Sequence, residues 1–286
     1  MIIVCDLDRT LIPNGNEEYD NSLEEFYNRV SDLKDVVLVY ATGRNLELFK
    51  EAEGEYGIKK PDYFLGSVGT EVYVNKKSFF TRKNKLVPDS DWNSYVKKKH
   101  PNWDRESIVE YVEKISGETF DQNAEQKEFY LQEDSVQNKN KISYYLKDES
   151  QSDVIVGKIS EYIRGNQINA EVVYSFDPHK DLGLVDILPK NATKLGALEF
   201  LIEKLREDSE NVVYCGDSGN DLLPLTSGTK SVLVKNARDD VKEKAQKIVE
   251  EKGVKDKLYI AKGEGRLNGN YSSGVIEGLE YFGFLN

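Results

Sequence analysis

The 286-residue chain is 38% hydrophobic, enough for one large buried core or two smaller ones, and two domains are expected. Its formal net charge of −12 argues against the basic surface that a nucleic-acid backbone requires, so no nucleic-acid partner is expected. The longest apolar run, 36–41, falls far below the roughly 20 residues of a bilayer span, and the opening MIIVCD does not fit a secretory signal, which points to a cytoplasmic protein with no membrane segment.

Residues 2–5 form an apolar strand, followed by Leu23, Phe26, Tyr27, Val30 and Leu33 at helical spacing and by the buried strand 36–41. A helix over 45–56 and short strands at 63–65 and 71–74 come next. Between 85 and 185 the texture changes, with a charge run at 97–99 and a polar stretch at 121–140. Strand-like alternation persists there at 141–146 and 170–176 around a helix at 153–164, which predicts an inserted domain with a small antiparallel sheet and helices. The first grammar then returns: helix 193–205, strand 212–215, a helix from Asp221, strand 231–234 and helix 239–250. Such alternation implies a parallel sheet covered on both faces, an α/β fold. The two cysteines, Cys5 and Cys215, sit inside apolar runs; they are too few for a disulfide framework or a structural zinc site and fit buried reduced thiols.

Asp6 and Asp8 lie two apart at the end of the first strand, so both project to one side before the chain turns. A phosphate monoester needs a nucleophile, a cation and a proton for its leaving alkoxide, and this pair can supply the first and the third. Thr10 adds a hydroxyl, although DxDxT alone is equally compatible with an acidic turn that caps a helix. Thr42 and Gly43 end a buried strand and Arg44 precedes a helix, an arrangement of hydroxyl, amides and helix dipole that favours a phosphate. By itself Thr-Gly is also an ordinary helix start. Lys194 opens the helix that carries Leu198, Leu201 and Leu205, where a lone lysine is usually solvated. Asp217 and Asp221 flank a Gly-rich loop between a strand and a helix, the hard-oxygen setting that magnesium prefers. The GDSG within that loop also resembles the nucleophile segment of trypsin-like proteases, but an alternating α/β chain is the wrong scaffold, and neither His100 nor His179 has an obvious apolar setting. All four signals stand at the carboxyl ends of expected parallel strands or on the helices that follow, where such sheets bind ligands.

In order, DxDxT, a Thr after a strand, Lys and GDxxxD resemble the motifs of the haloacid dehalogenase superfamily. The resemblance implies a Rossmann-like core over 1–84 and 186–286 with an α/β cap inserted at 85–185. It also implies that Asp6 attacks phosphorus, that Asp8 serves as acid and then base, and that Thr10, Thr42, Gly43 and Asn220 contact phosphate while Lys194 neutralises the aspartyl-phosphate region. Mg2+ would be held by Asp6, Asp217 and the Asp8 backbone carbonyl, with Asp221 steadying its waters.

YATGR, PDYFLGSVGTEVY, KISYYL, VDILP, GDSGND, VKNA and the closing YSSGVIEGLEYFGFL are similar, over most of the chain, to the sucrose-phosphatase family. That similarity implies magnesium-dependent hydrolysis of a sugar phosphate, sucrose 6-phosphate first, with mannosylfructose phosphate or another disaccharide phosphate as an alternative. A phosphomannomutase-like phosphotransferase is a second alternative, and a non-catalytic partner of a sucrose-phosphate synthase a third, from another class. A monomer is expected, with the synthase as a candidate partner. The sugar pocket implied by the family comprises Arg44, Ser67, Gly69 and Glu71 from the core and Lys141, Tyr145, Lys180 and Asp186 from the cap; each cap residue is equally compatible with an ordinary exposed strand position. The chain departs from the family at Arg9, Leu195 and Tyr145, where Asn, Gly and His are usual, and by a three-residue insertion near 178–183.

Overall fold

The computed structural model describes residues 1–77, 84–120, 127–178 and 180–285, so His179 and the first part of the polar stretch lie outside the described residues. The chain begins with β1 (Ile2–Cys5), α1 (Ser22–Ser31), β2 (Val37–Ala41), α2 (Leu46–Tyr56), β3 (Tyr63–Gly66), β4 (Glu71–Lys77), β5 (Asn84–Pro88) and α3 (Ser90–Lys99). A second group follows: α4 (Arg105–Thr119), β6 (Phe129–Leu131), β7 (Ile142–Leu146), α5 (Ser152–Gly165), β8 (Ala170–Asp177) and β9 (Leu182–Pro189). The chain then returns to the first unit with α6 (Lys194–Leu205), β10 (Val212–Gly216), α7 (Leu222–Leu225), β11 (Lys230–Leu233), α8 (Asp239–Glu251), β12 (Leu258–Ile260) and α9 (Tyr271–Tyr281).

Among the described residues the strands form two sheets. The larger, in the core, runs β12-β11-β10-β1-β2-β3-β4-β5, parallel from β12 to β3 and antiparallel beyond. β1 is central, and strand order runs outward from it in both directions, the topological switch at which such sheets bind ligands. Its four residues are all buried, Ile3 and Cys5 in one apolar cluster and Ile2 and Val4 in the other. That two-sided burial is why β1 reads as an unbroken apolar run; each such aliphatic side chain contributes about 1.5–3 kcal/mol relative to exposure. Cys5 and Cys215 are buried free thiols, opposite each other in the β1–β10 register.

The smaller sheet, β6-β7-β9-β8, is antiparallel and forms the cap. One face, with Ile142, Tyr144, Leu146, Val185 and Ile187, packs under Ile108, Val112 and Ile115 of α4 and Ile155, Ile159 and Ile163 of α5. Period-2 alternation sends Lys141, Ser143 and Tyr145 to the opposite face, toward the core. The cap meets the core on two sides. Asn45 Nδ2 donates to the Ser135 carbonyl at 2.7 Å, and Asn138 Nδ2 donates to Thr70 Oγ1 at 2.9 Å. On the far side Arg238 pairs with Glu149 at 2.7 Å and lies 4.3 Å from the Phe176 ring centre.

The structure shifts both expected cap boundaries. The one at 84/85 falls inside β5, which pairs with β4 of the core sheet, and α3 also belongs to the core: Trp92 and Val96 pack with Leu65 and Leu201, and Trp92 Nε1 donates to the Thr70 carbonyl at 3.1 Å. The one at 185/186 divides β9, which pairs with β8 through to Pro189. The helix expected from Asp221 is only the short α7, and the chain closes with β12 and α9. Among the described residues no helix is long and apolar enough to cross a membrane.

Candidate active site

Three parallel strands deliver their following residues to one place. Asp6 leaves β1 with its N–H donating to the Cys215 carbonyl at 2.9 Å, and its Oδ1 accepts from the Leu7 N–H at 2.7 Å. Thr10, fully buried in the turn that follows, donates through Oγ1 to Asp217 Oδ1 at 3.1 Å, which ties the end of β1 to the end of β10. Thr42 leaves β2 with Oγ1 accepting from the Arg44 N–H at 3.2 Å, and a Cβ placed on Gly43 would meet nothing within 4 Å, so the backbone there is open to the cavity. Lys194 is the first residue of α6, whose N-terminus Thr193 caps through Gly196 N–H, and it is fixed beneath the acids. Its Nζ lies 2.8 Å from Asp221 Oδ1 and 3.1 Å from Asp6 Oδ2, with no side-chain exposure. This buried setting is the opposite of the solvated lysine that the sequence alone also allowed.

Asp221 is saturated by donors. Lys194 Nζ and the Tyr214 hydroxyl reach Oδ1, and the Asp217 and Ser218 N–H groups reach Oδ2 at 3.2 and 3.1 Å. It thereby shapes the 216–221 loop, whose Gly216 faces it closely: a Cβ there would stand 2.5 Å from the Asp221 carboxyl carbon. Carboxylate oxygens of Asp6, Asp217 and Asp221 lie within 4.8 Å of one another, all buried, and the cluster could hold a metal ion. Burial, with the neighbouring acids Asp221, Asp217 and Asp8 adding to it against Lys194, raises the Asp6 carboxyl well above its ordinary range. Burial and then Asp221 push Asp217 up to about 7. Lys194 is depressed by burial, but Asp221 and Asp6 more than offset this and hold it above its ordinary value. Such crowding of acids around one lysine is relieved by a divalent cation, so the donor set fits magnesium.

The Asp8 side chain lies outside this cluster. It turns to the cavity mouth, where it accepts from Arg44 and, at 2.6 Å, from Asn14 Nδ2. Above it the cap contributes Lys141, buried and 3.6 Å from Asp186, which also accepts from Ser143 across the β7–β9 register. Lys180 Nζ lies 2.7 Å from the Tyr145 hydroxyl, which donates to Glu133. Asp6, Asp8, Gly43, Arg44, Asn220 and Asp217 from the core, and Lys141, Lys180 and Asp186 from the cap, line one cavity of about 440 Å³.

Other expected site residues stand back from it. Thr10, Thr42, Lys194 and Asp221 form a buried layer beneath the cavity, and Tyr145 stands behind Lys180. Ser67 donates to Glu71 at 2.8 Å, and neither lines the cavity; Val68 does. Gly69 packs on the backbone entering α6: with φ at 91°, a Cβ would lie 2.3 Å from the Thr193 carbonyl oxygen. Three residues that touch the expected site groups were given no site role in the sequence, Arg9 beside Asp217, Asn14 on Asp8 and Tyr214 on Asp221; nor was Asn236, whose Nδ2 donates to the Arg9 carbonyl. Tyr214 alone carried a signal, a hydroxyl inside a fully buried strand, which needs a partner.

Residues 1–283 match the family of sucrose-6F-phosphate phosphohydrolase. The chain is 33% identical over 283 residues, 98% of this chain and 71% of the relative, to a haloacid-dehalogenase-like hydrolase of Nitrosococcus oceani. It is 31% identical over 250 residues to sucrose-phosphatase 1 of Nicotiana tabacum, covering 84% of this chain and 51% of that protein, so it spans about half the length of that plant relative. Identity to a mannosylfructose-phosphate phosphatase of Agrobacterium fabrum is 27% over 283 residues, 99% of this chain and 96% of the relative. The fold is shared with the sucrose-phosphatase of Synechocystis solved with sucrose and phosphate, at a TM-score of 0.76 and 23% identity over 99% of this chain and 98% of that one. With the motif residues gathered at the switch point of a parallel sheet under a four-stranded cap, the match across 1–283 leads to one conclusion: the chain belongs to the sucrose-6F-phosphate phosphohydrolase family, phosphatases of the haloacid dehalogenase superfamily.

Proposed function

We propose that this protein hydrolyses a disaccharide phosphate, with sucrose 6-phosphate as substrate, to the free sugar and phosphate through a phosphoaspartate on Asp6. The observation that carries the reading is a cavity of about 440 Å³ that Asp6 and Asp8 line from the core and the Lys141–Asp186 pair lines from the cap. That volume suits a disaccharide monophosphate, and a buried cation beside a buried acceptor suits a ring of hydroxyls.

In this reading Asp6, close to Lys194, attacks phosphorus while the bond to the sugar oxygen breaks, and Asp8 at the mouth gives that oxygen its proton. Asp8 then takes a proton from the water that cleaves the phosphoaspartate and releases phosphate. Gly43 and Asn220 orient the phosphate oxygens, Thr10 and Thr42 support the site from the buried layer, and Lys194 neutralises charge there. Magnesium would be held by Asp6, Asp217 and the Asp8 carbonyl, with Asp221 ordering the loop; when bound it supplies positive charge to the phosphoryl oxygens. Arg44 and the cap residues Lys141, Lys180 and Asp186 contact the sugar, with Tyr145 aligning Lys180. Ser67, Gly69 and Glu71 support the loop beneath the pocket instead of lining it.

Phosphate release with magnesium across a panel of sugar phosphates tests the reading. Sucrose 6-phosphate should rank first, with Lys141→Met and Asp186→Asn raising its KM about tenfold or more while leaving p-nitrophenyl phosphate hydrolysis near wild type. A higher rank for mannosylfructose phosphate, the substrate in the name of one full-length relative, would move the substrate assignment within the disaccharides. Preference for monosaccharide phosphates, or an isomerised phosphate as product, would sink it.

A further inference from the structure

Arg9 follows Asp8 in sequence, yet its side chain runs to Asp217. Its backbone takes a left-handed φ of 58°, fixed by Asn14 Oδ1 accepting the Arg9 N–H at 2.7 Å and by Asn236 Nδ2 donating to the Arg9 carbonyl at 2.6 Å. A long side chain in that region is held against a conformational cost, which the surrounding bonds must offset. The guanidinium, 12% exposed, donates from its terminal nitrogens to Glu17 at 2.6 and 3.2 Å and to the Asn236 carbonyl at 3.0 Å, while Nε lies 3.5 Å from Asp217 Oδ2. Glu17 is itself held by the Tyr271 hydroxyl at 2.6 Å. Arg9 therefore presents a fixed positive charge to Asp217, with its counter-charge on the side away from the cluster.

We infer that the Arg9–Glu17 pair sets the magnesium affinity of the site, Arg9 weakening it and Glu17 restoring part of it. The inference rests on the reading that Asp217 holds magnesium. A divalent ion on the Asp217 carboxylate stands within a few ångströms of the guanidinium, and at that range repulsion between the two is worth about tenfold in affinity even under strong solvent screening. Weakened binding at a carboxylate that otherwise has Asp6 and Asp221 for neighbours keeps the ion exchangeable.

Calorimetric titration of magnesium into the metal-stripped full chain, without substrate, tests this. Arg9→Asn, chosen because Asn tolerates a left-handed backbone, should bind magnesium about tenfold more tightly than wild type. Glu17→Gln, which leaves the guanidinium uncompensated, should bind it several-fold more weakly, and Arg9→Lys, which keeps the charge, should stay within about threefold. Circular-dichroism melts establish that each variant is folded, and Arg9→Gln carries the same expectation should Arg9→Asn not fold. A merely structural role moves both variants the same way, so the opposite signs are the signature. If wild type binds magnesium and the signs do not cross, the inference is overturned and the metal assignment stands. If wild type binds none, the metal assignment itself falls.

Discussion

Arg44 reaches both carboxylate oxygens of Asp8, with Nε 2.9 Å from Oδ2 and Nη2 2.6 Å from Oδ1, so the acid is held flat by a planar fork. Asn14 bonds the same Oδ1, and Arg44 is anchored in turn on the Leu48 carbonyl at 3.2 Å. Lysine cannot reproduce that fork. Arg44→Lys should therefore lower kcat on the disaccharide phosphate by about a hundredfold, the scale of a misplaced general acid. With p-nitrophenyl phosphate, whose leaving group needs no proton, the loss should stay within about threefold. Steady-state kinetics on both substrates decide it, since equal losses would mean that Arg44 does not act through proton transfer.

Asp6→Asn keeps the shape of the side chain and removes the proposed nucleophile. Turnover should fall by at least about a thousandfold with an unchanged circular-dichroism spectrum. Retention of more than a few percent of activity would assign the attack to another group.

Lys194→Met tests the buried layer beneath the cavity. Losing the ammonium leaves Asp6 and Asp221 facing each other with no fixed cation between them, which should cost about 3–5 kcal/mol in urea denaturation of the metal-free enzyme. The loss should shrink as the pH is lowered, because Asp6, whose carboxyl is raised chiefly by burial, is more readily protonated than an ordinary carboxylate.

Asp217 gives a pH signature. Its carboxyl, ordinarily near 3.8, is pushed up to about 7, first by burial and then by Asp221. The metal-free folded protein thus keeps a proton that the unfolded chain loses above about pH 4. This group's contribution to stability is fully present below that pH and is lost as the pH rises through about 7, at up to about 1.4 kcal/mol per pH unit. Asp217→Asn removes the titration. In EDTA the variant should gain in melting temperature relative to wild type between pH 5 and pH 8, and a difference independent of pH would contradict the burial argument.

Much of this was legible in the chain because burial writes itself into apolar runs. β1, β2 and β10 are covered on both faces and read as unbroken hydrophobic segments, so the motif residues at their ends could be placed from the sequence. The cap sheet was legible for a related reason: alternate residues of β7 face helices, and the rest lie on the opposite face of the sheet. The core–cap boundary was not. β5 is a short, partly polar edge strand, and the packing of Trp92 and Val96 against Leu65 and Leu201, which assigns α3 to the core, is a tertiary contact that no local pattern announces. The roles of Arg9 and Asn236 escaped because polar contacts spanning more than two hundred positions, such as Asn236 to Arg9, leave no periodicity behind, and that of Asn14 because a side-chain bond to Asp8 within one turn leaves none either. Gly69 looked like a pocket residue, but its lack of a side chain answers to the Thr193 carbonyl pressed against it.

The central place of β1 also orders events during synthesis. One edge of β1 pairs with β2 almost at once, while the other must wait for Val212–Gly216, which leaves the ribosome only after the whole cap. At about 5–20 residues per second that is a wait of roughly 10–40 seconds, during which an apolar strand edge is open. Asp217, Asp221 and Lys194 also arrive late, so the nascent chain carries Asp6 without the charged groups that lie against it in the folded protein. A ribosome stalled before β10 would therefore leave β1 with an open, aggregation-prone edge and Asp6 without the neighbours that surround it in the folded chain.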